Sequence, residues 1–189
     1  WLIEGLLEED IQIPEDIDLI LLTQGLEDHA HPETLNEINK SIPVFGSFSA
    51  QKVAMELGFK SSKSLRPGMK MQIGELSIEA SAGAPVPIIQ NGYILNHSQG
   101  SLYIEPHGYL DPKVNSRELD AVITPTVNVT LPIAGSFIKG KNVLPDLIKK
   151  FQPLTILSST TGGSAQFKGL LANLIRIEEN SEEKDLSQS

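Results

Sequence analysis

The 189-residue sequence contains no cysteine. That excludes a disulfide framework, a thiolate zinc site, an iron–sulfur cluster and a cysteine nucleophile, and it leaves any metal ion to histidine and carboxylate ligands. Long apolar runs are missing as well. The longest, around Ile17 to Leu22, carry Asp18 within them and meet Gln24 shortly after, far short of the roughly 18 residues a membrane span needs. The expectation is a soluble protein of the cytoplasm or an organelle stroma, with no membrane partner. Positive charge is scarce, since 15 Lys and Arg face 24 Asp and Glu for a net charge of −9. This balance works against binding to phosphate backbones, so nucleic acid is not an expected partner. There is also no Walker sequence, no G-x-G-x-x-G and no G-x-S-x-G, which removes the footing for nucleotide-binding and serine-hydrolase readings.

What is present fits a folded domain: 40% of residues are apolar and 21% charged, ordinary values for a globular core. One domain is expected over residues 1–177, followed by an acidic, disordered tail over 178–189. The segment Lys52 to Lys70 holds five bases and one acid; lacking interleaved aromatics, it reads as a solvated face. Starting with Trp1 and not Met, the chain reads as a processed or trimmed fragment.

Asp18 to Thr23 is short, apolar and bounded by Pro14 and Gly25, as suits a strand buried on both faces. Pro32 stands where a first helical residue would, with Leu35 and Ile38 inward. A second strand over Ile42 to Phe45 leads to a helix capped by Ser47 or Ser49 and ended by Gly58. This alternation predicts parallel strands joined by crossovers. From Gly68 onward, strands over 69–73, 75–80, 86–89, 92–96 and 101–104 are expected to form an antiparallel meander, with Asn91-Gly92 as a type I′ hairpin turn. Ala121 to Thr124 and Thr155 to Leu157 read as further strands. Leu144, Leu147, Ile148 and Phe151 mark a helix, and Phe167, Leu170, Leu171, Leu174 and Ile175 mark a last one.

The run from Leu21 to His31 concentrates the chemistry. A strand ending in Thr23 and a tight loop bearing Asp28, His29 and His31 put three potential ligands near one point, at the carboxyl end of a sheet where open α/β sheets place their sites. The same groups could instead cap the helix opened by Pro32. His97 reads as a hairpin residue. Gly162-Gly163 offers either free amides for an anion or a plain turn.

With Thr23, Asp28, His29 and then Pro32-Glu-Thr-Leu35 in place, the run resembles the metallo-β-lactamase fold superfamily, in a lactonase-like branch. The signature there is a strand ending in Thr, then His-x-His-x-Asp-His. The resemblance implies an α/β fold: an αβ/βα sandwich of two mixed β-sheets with helices outside. It also implies a metal-dependent hydrolase with two metal ions. Against that pattern about 30 residues or more are absent near the N-terminus, through a shortened variant or through residues omitted from the sequence.

Carried over residue by residue, the resemblance implies a degenerate site. Gln24 and Leu26 occupy the two positions of His-x-His, while Asp28 and His29 match. A later His is expected at Ser81 to Ala84, and a final one at Ser158 to Thr161; neither is there. The bridging carboxylate position falls on His107, or on Glu105 if the register slips by two. The remaining set is Asp28, His29, His107 and Glu105, with Asp28 the candidate catalytic carboxylate. Three or four such ligands could hold one zinc, iron or manganese ion, and four empty positions out of the seven expected favour a metal-free pocket. The competing expectation is a non-catalytic module on the same fold that binds a small anionic molecule or a partner chain. Oligomeric state is left open.

Overall fold

The computed structural model describes residues 4–6, 12–85, 89–131, 135–159, 166–168 and 176–178. A short strand, β1 (Glu4–Leu6), precedes the unit that carries the site: β2 (Ile20–Leu22), α1 (Pro32–Glu37), β3 (Val44–Gly46), α2 (Phe48–Glu56) and β4 (Ser62–Ser64). β2, β3 and β4 pair in parallel, in that order. Crossover helices between short strands produce this arrangement. Ser47 caps α2 through its hydroxyl, which accepts from the Ala50 N–H, and Gly58 ends it at φ +85°.

A meander follows: β5 (Lys70–Ile73), β6 (Leu76–Ala82), β7 (Asn91–His97) and β8 (Gly100–Ile104), antiparallel throughout. β9 (Ala121–Thr124) joins β8 in parallel. After β10 (Asn128–Leu131), β11 (Gly135–Lys139) and α3 (Gly140–Phe151), β12 (Thr155–Ser158) joins β9 in parallel. The result is a six-stranded mixed sheet ordered β12-β9-β8-β7-β6-β5. β13 (Gln166–Lys168) pairs with β1, and β14 (Arg176–Glu178) with β10.

Alternation of side chains along the strands builds four layers. Leu22 and Val44 face Ala50 and Ala54 of α2, whereas Leu21 and Phe45 face the opposite way, onto Ile78, Ala80 and Tyr93 of the large sheet. Ile94, Tyr103 and Val122 then face Leu147 and Phe151 of α3. The order is helix, sheet, sheet, helix, the sandwich expected. The small sheet differs from that expectation in being wholly parallel.

Two local readings are corrected. Asn91-Gly92 is no hairpin turn but the start of β7. The Asn91 side chain is buried and donates to the Leu65 carbonyl at 2.7 Å and to Tyr93 Oη at 3.1 Å, and a Cβ on Gly92 would lie 2.6 Å from Ser81 Oγ. Tertiary packing, not turn geometry, explains both residues. The last expected helix is corrected at its start, because Gln166–Lys168, which includes Phe167, is a strand. Its further positions, 169–175, lie outside the described residues, as do 86–88 of the expected 86–89 strand, Gly162-Gly163 and the tail over 179–189. The basic stretch is solvated as expected, with Lys52, Lys60, Lys63, Arg66 and Lys70 all exposed. Among the described residues no helix is long and apolar enough to cross a membrane.

Candidate functional site

The expected site residues gather at the carboxyl ends of β2 and β8. Beyond β2 the chain makes one tight turn in which the Leu26 carbonyl accepts from the N–H groups of His29 and Ala30, at 2.9 and 2.7 Å. Ala30, 2% exposed, plugs the turn into the core beside Leu22 and Leu35. Doubling back in this way brings His29 Nδ1 to 3.0 Å from Thr23 Oγ1, while His29 Nε2 lies 3.5 Å from Asp28 Oδ2. His31 has a different role: its Nδ1 accepts from the Thr34 N–H at the start of α1. Capping therefore accounts for His31 and not for Asp28 or His29.

His107 arrives from the loop after β8 and stacks on His29, with ring centroids 4.9 Å apart and planes inclined by 23°. Two features hold that loop. The fully buried Glu105 accepts from the N–H groups of His107 and Tyr109 on Oε2, at 3.1 and 2.7 Å, and from Ala84 on Oε1 at 3.4 Å. Gly108 then turns the chain at φ +70°, and a Cβ there would sit 2.4 Å from the Gly140 nitrogen. Only glycine combines that backbone conformation with so close an approach.

The electrostatics follow from this packing. Burial holds the His107 imidazole down to about 4, and His29 beside it adds to the shift, while Asp28 opposes it. The hydrogen bond from His29 lowers the Asp28 carboxyl, against a smaller opposing effect of burial. Burial pushes the Glu105 carboxyl up, although its backbone N–H donors oppose the shift.

Asp28, His29 and His107 are thus brought together, but Glu105 is turned onto backbone amides and away from a ligand role. Gln24 is fully buried, and its carboxamide oxygen and nitrogen have no hydrogen-bond partner among the described residues. Gln90 is in the same state, and sequence reading gave no hint of it. Its position is fixed by the adjacent Asn91 N–H, which donates to the Thr23 carbonyl at 3.0 Å. Thr23 itself was read only as a strand end; its hydroxyl is the group that orients His29. Ser81 is buried, Ser159 is exposed with its N–H on the Thr124 carbonyl, and Thr160 and Thr161 lie outside the described residues. His97 ends β7 at its hairpin and lies 3.4 Å from Glu75.

Zinc needs about three imidazole or carboxylate donors converging at 2.0–2.1 Å. Among the described residues no three His, Asp or Glu side chains are grouped so that they could hold a metal ion.

Comparison with known proteins agrees with the four-layer architecture. A family model described as a beta-lactamase superfamily domain matches residues 7–159. Among solved structures, an isothiocyanate hydrolase from Delia radicum gut bacteria is 15% identical with a TM-score of 0.63, over 90% of this chain and 69% of that one. The diiron β-hydroxylase CmlA from Streptomyces venezuelae is 14% identical with a TM-score of 0.59, over 80% of this chain and 37% of that one. A possible metal-dependent hydrolase from Veillonella parvula is 16% identical with a TM-score of 0.55, over 75% and 61%. At such identities the likeness is one of fold. No curated protein matches the sequence.

Proposed function

The chain belongs to the beta-lactamase superfamily, and from that membership we propose that it is a hydrolase-like domain whose metal centre is dismantled, holding at most one metal ion per chain. The observation that carries this reading is the ligand count: among the described residues no three His, Asp or Glu side chains are grouped so that they could hold a metal ion. Gln24 and Leu26 in place of histidines support it, because a neutral carboxamide is a weak ligand and an isobutyl group is none. Among the described residues a single zinc, iron or manganese ion would draw on Asp28, His29 and His107. We derive no catalytic step through such an ion.

A second reading, a non-catalytic module that binds a small anionic molecule or a protein partner on the same fold, draws support from the same loss of ligands. Elemental analysis of the purified protein tests the first reading. We expect no more than one equivalent of transition metal, lost on His29→Ala. Two tightly held equivalents would overturn it.

A further inference from the structure

The contacts around His29 fix more than its position. A carboxylate only accepts hydrogen bonds, so Asp28 Oδ2, 3.5 Å from His29 Nε2, favours the neutral tautomer with its proton on Nε2 and its lone pair on Nδ1. In that tautomer the Thr23 hydroxyl, 3.0 Å from Nδ1, is the donor. Hydroxyl, imidazole and carboxylate stand in the order that activates an alcohol nucleophile: the base accepts from the hydroxyl and is itself oriented by the acid. His107 stacked on the ring face restrains its rotation. Thr23 and His29 are both partly exposed at the carboxyl end of β2.

We infer that Thr23, His29 and Asp28 form a relay that accepts an acyl group from a small uncharged ester without a metal ion, with Thr23 as the nucleophile. The inference rests on the reading that the metal centre is dismantled, since a metal on His29 and Asp28 would break the relay. In the step, Thr23 Oγ bonds to the ester carbonyl carbon and its proton passes to His29 Nδ1. The carbonyl–alkoxy bond then breaks, and the proton leaves with the alcohol. Water repeats the sequence to release the acid and regenerate the hydroxyl.

Acyl rather than phosphoryl transfer follows from the charges present. Among the described residues the ionisable neighbours that bear on Asp28 and His107 are each other and His29, with no lysine or arginine, so a phosphoryl transition state would lack a stabilising cation from them. Neutral N–H donors suffice for the single oxyanion of acyl transfer. The carboxamides of Gln24, next to Thr23 in the chain, and Gln90, next to the residue bonded to the Thr23 carbonyl, are buried polar groups without partners among the described residues, as are Ser81 Oγ, His107 Nδ1 and Thr124 Oγ1.

The test is incubation of the chelator-treated, metal-free full chain with p-nitrophenyl acetate, followed by intact-mass and peptide mapping. We expect one acetyl group on Thr23. It should be absent in Thr23→Val, retained in Thr23→Ser, and formed about 100-fold more slowly or worse in His29→Gln; circular dichroism establishes that each variant is folded. Asp28→Asn should slow acetylation less than His29→Gln. Acetylation confined to lysines or the N-terminal amine, or unchanged in Thr23→Val, overturns the relay. Metal content separates this failure from that of the reading beneath it: metal-free protein without Thr23 acetylation sinks the relay alone, whereas two metals with chelator-sensitive turnover sink both.

Discussion

The imidazoles of His29 and His107 lie 4.9 Å apart, centroid to centroid, with their planes inclined by only 23°. One comes from the loop after β2 and the other from the loop after β8, so the contact ties the two sheets of the sandwich together at the end where the candidate site lies. Uncharged rings tolerate that proximity; two imidazolium cations would repel across it.

A pH dependence of stability follows. Burial lowers the folded-state pKa of His107 from the ordinary 6.5 to about 4, so below pH 6.5 the unfolded chain takes up a proton that the folded chain refuses. Stability is therefore retained above about 6.5 and lost as the pH falls towards 4. Between pH 7.5 and 5 the loss attributable to His107 is about 2 kcal/mol. Urea unfolding at the two pH values measures it, and His107→Asn should lose correspondingly less. Equal losses in the two proteins would show that His107 is not the titrating group.

Glu105 gives a second test. Its carboxylate accepts from three backbone N–H groups belonging to Ala84, His107 and Tyr109. Glu105→Gln keeps the shape but turns one accepting oxygen into an N–H2 that faces N–H donors. We expect a loss of about 1–3 kcal/mol from the stranded donors, in spite of the buried charge removed. Unchanged stability would mean that the loop does not depend on those bonds.

The loop that presents His107 also depends on Gly108. Alanine there meets both the positive φ and the Gly140 backbone, whereas at Gly74, φ +55°, an added Cβ meets open space. Gly74→Ala should cost about 1–2 kcal/mol, the conformational part alone, and Gly108→Ala distinctly more. Chemical denaturation of the two variants side by side separates strain from collision.

Much of this was legible in the sequence. The β2-α1-β3-α2 unit announced itself through short apolar runs, Pro32 and the serine caps. Asp28 and His29 stand out in the loop after Thr23, His107 comes into view through the resemblance, and the structure places the three together. Asn91-Gly92 misled because a hairpin dipeptide was recruited for packing: the asparagine amide is needed by the Leu65 carbonyl and the glycine by its neighbours. The strand at Gln166–Lys168 was hidden because its pairing partner, β1, lies at the far end of the chain. Nor could spacing show the direction of the Glu105 carboxylate, which depends on where Ala84 and Tyr109 come to rest, or the bond from Thr23 to His29, which depends on the turn at Leu26.

The sharpest departure from the family's metal pattern is at Gln24 and Leu26, and replacing both by histidine probes how much of the centre they account for. Gln24 is fully buried, so a new imidazole there must find a partner or suffer desolvation. A metal ion could be that partner only if lone pairs converge on it. Yet the later histidine is missing at Ser81 to Ala84, and the final one is missing at Ser158 and Ser159. The double variant Gln24→His, Leu26→His should therefore gain metal affinity only in part, reaching no more than one equivalent. Hydrolysis of phosphodiester, lactone and β-lactam substrates should stay negligible in both proteins. Adding Ser159→His supplies one further imidazole near the end of β12 and should raise affinity again if the geometry of ligand loss is the limit. Elemental analysis with zinc titration and a substrate panel decides the matter. Two tightly bound metals and robust turnover in the unaltered chain would show that ligands come from residues other than those assigned.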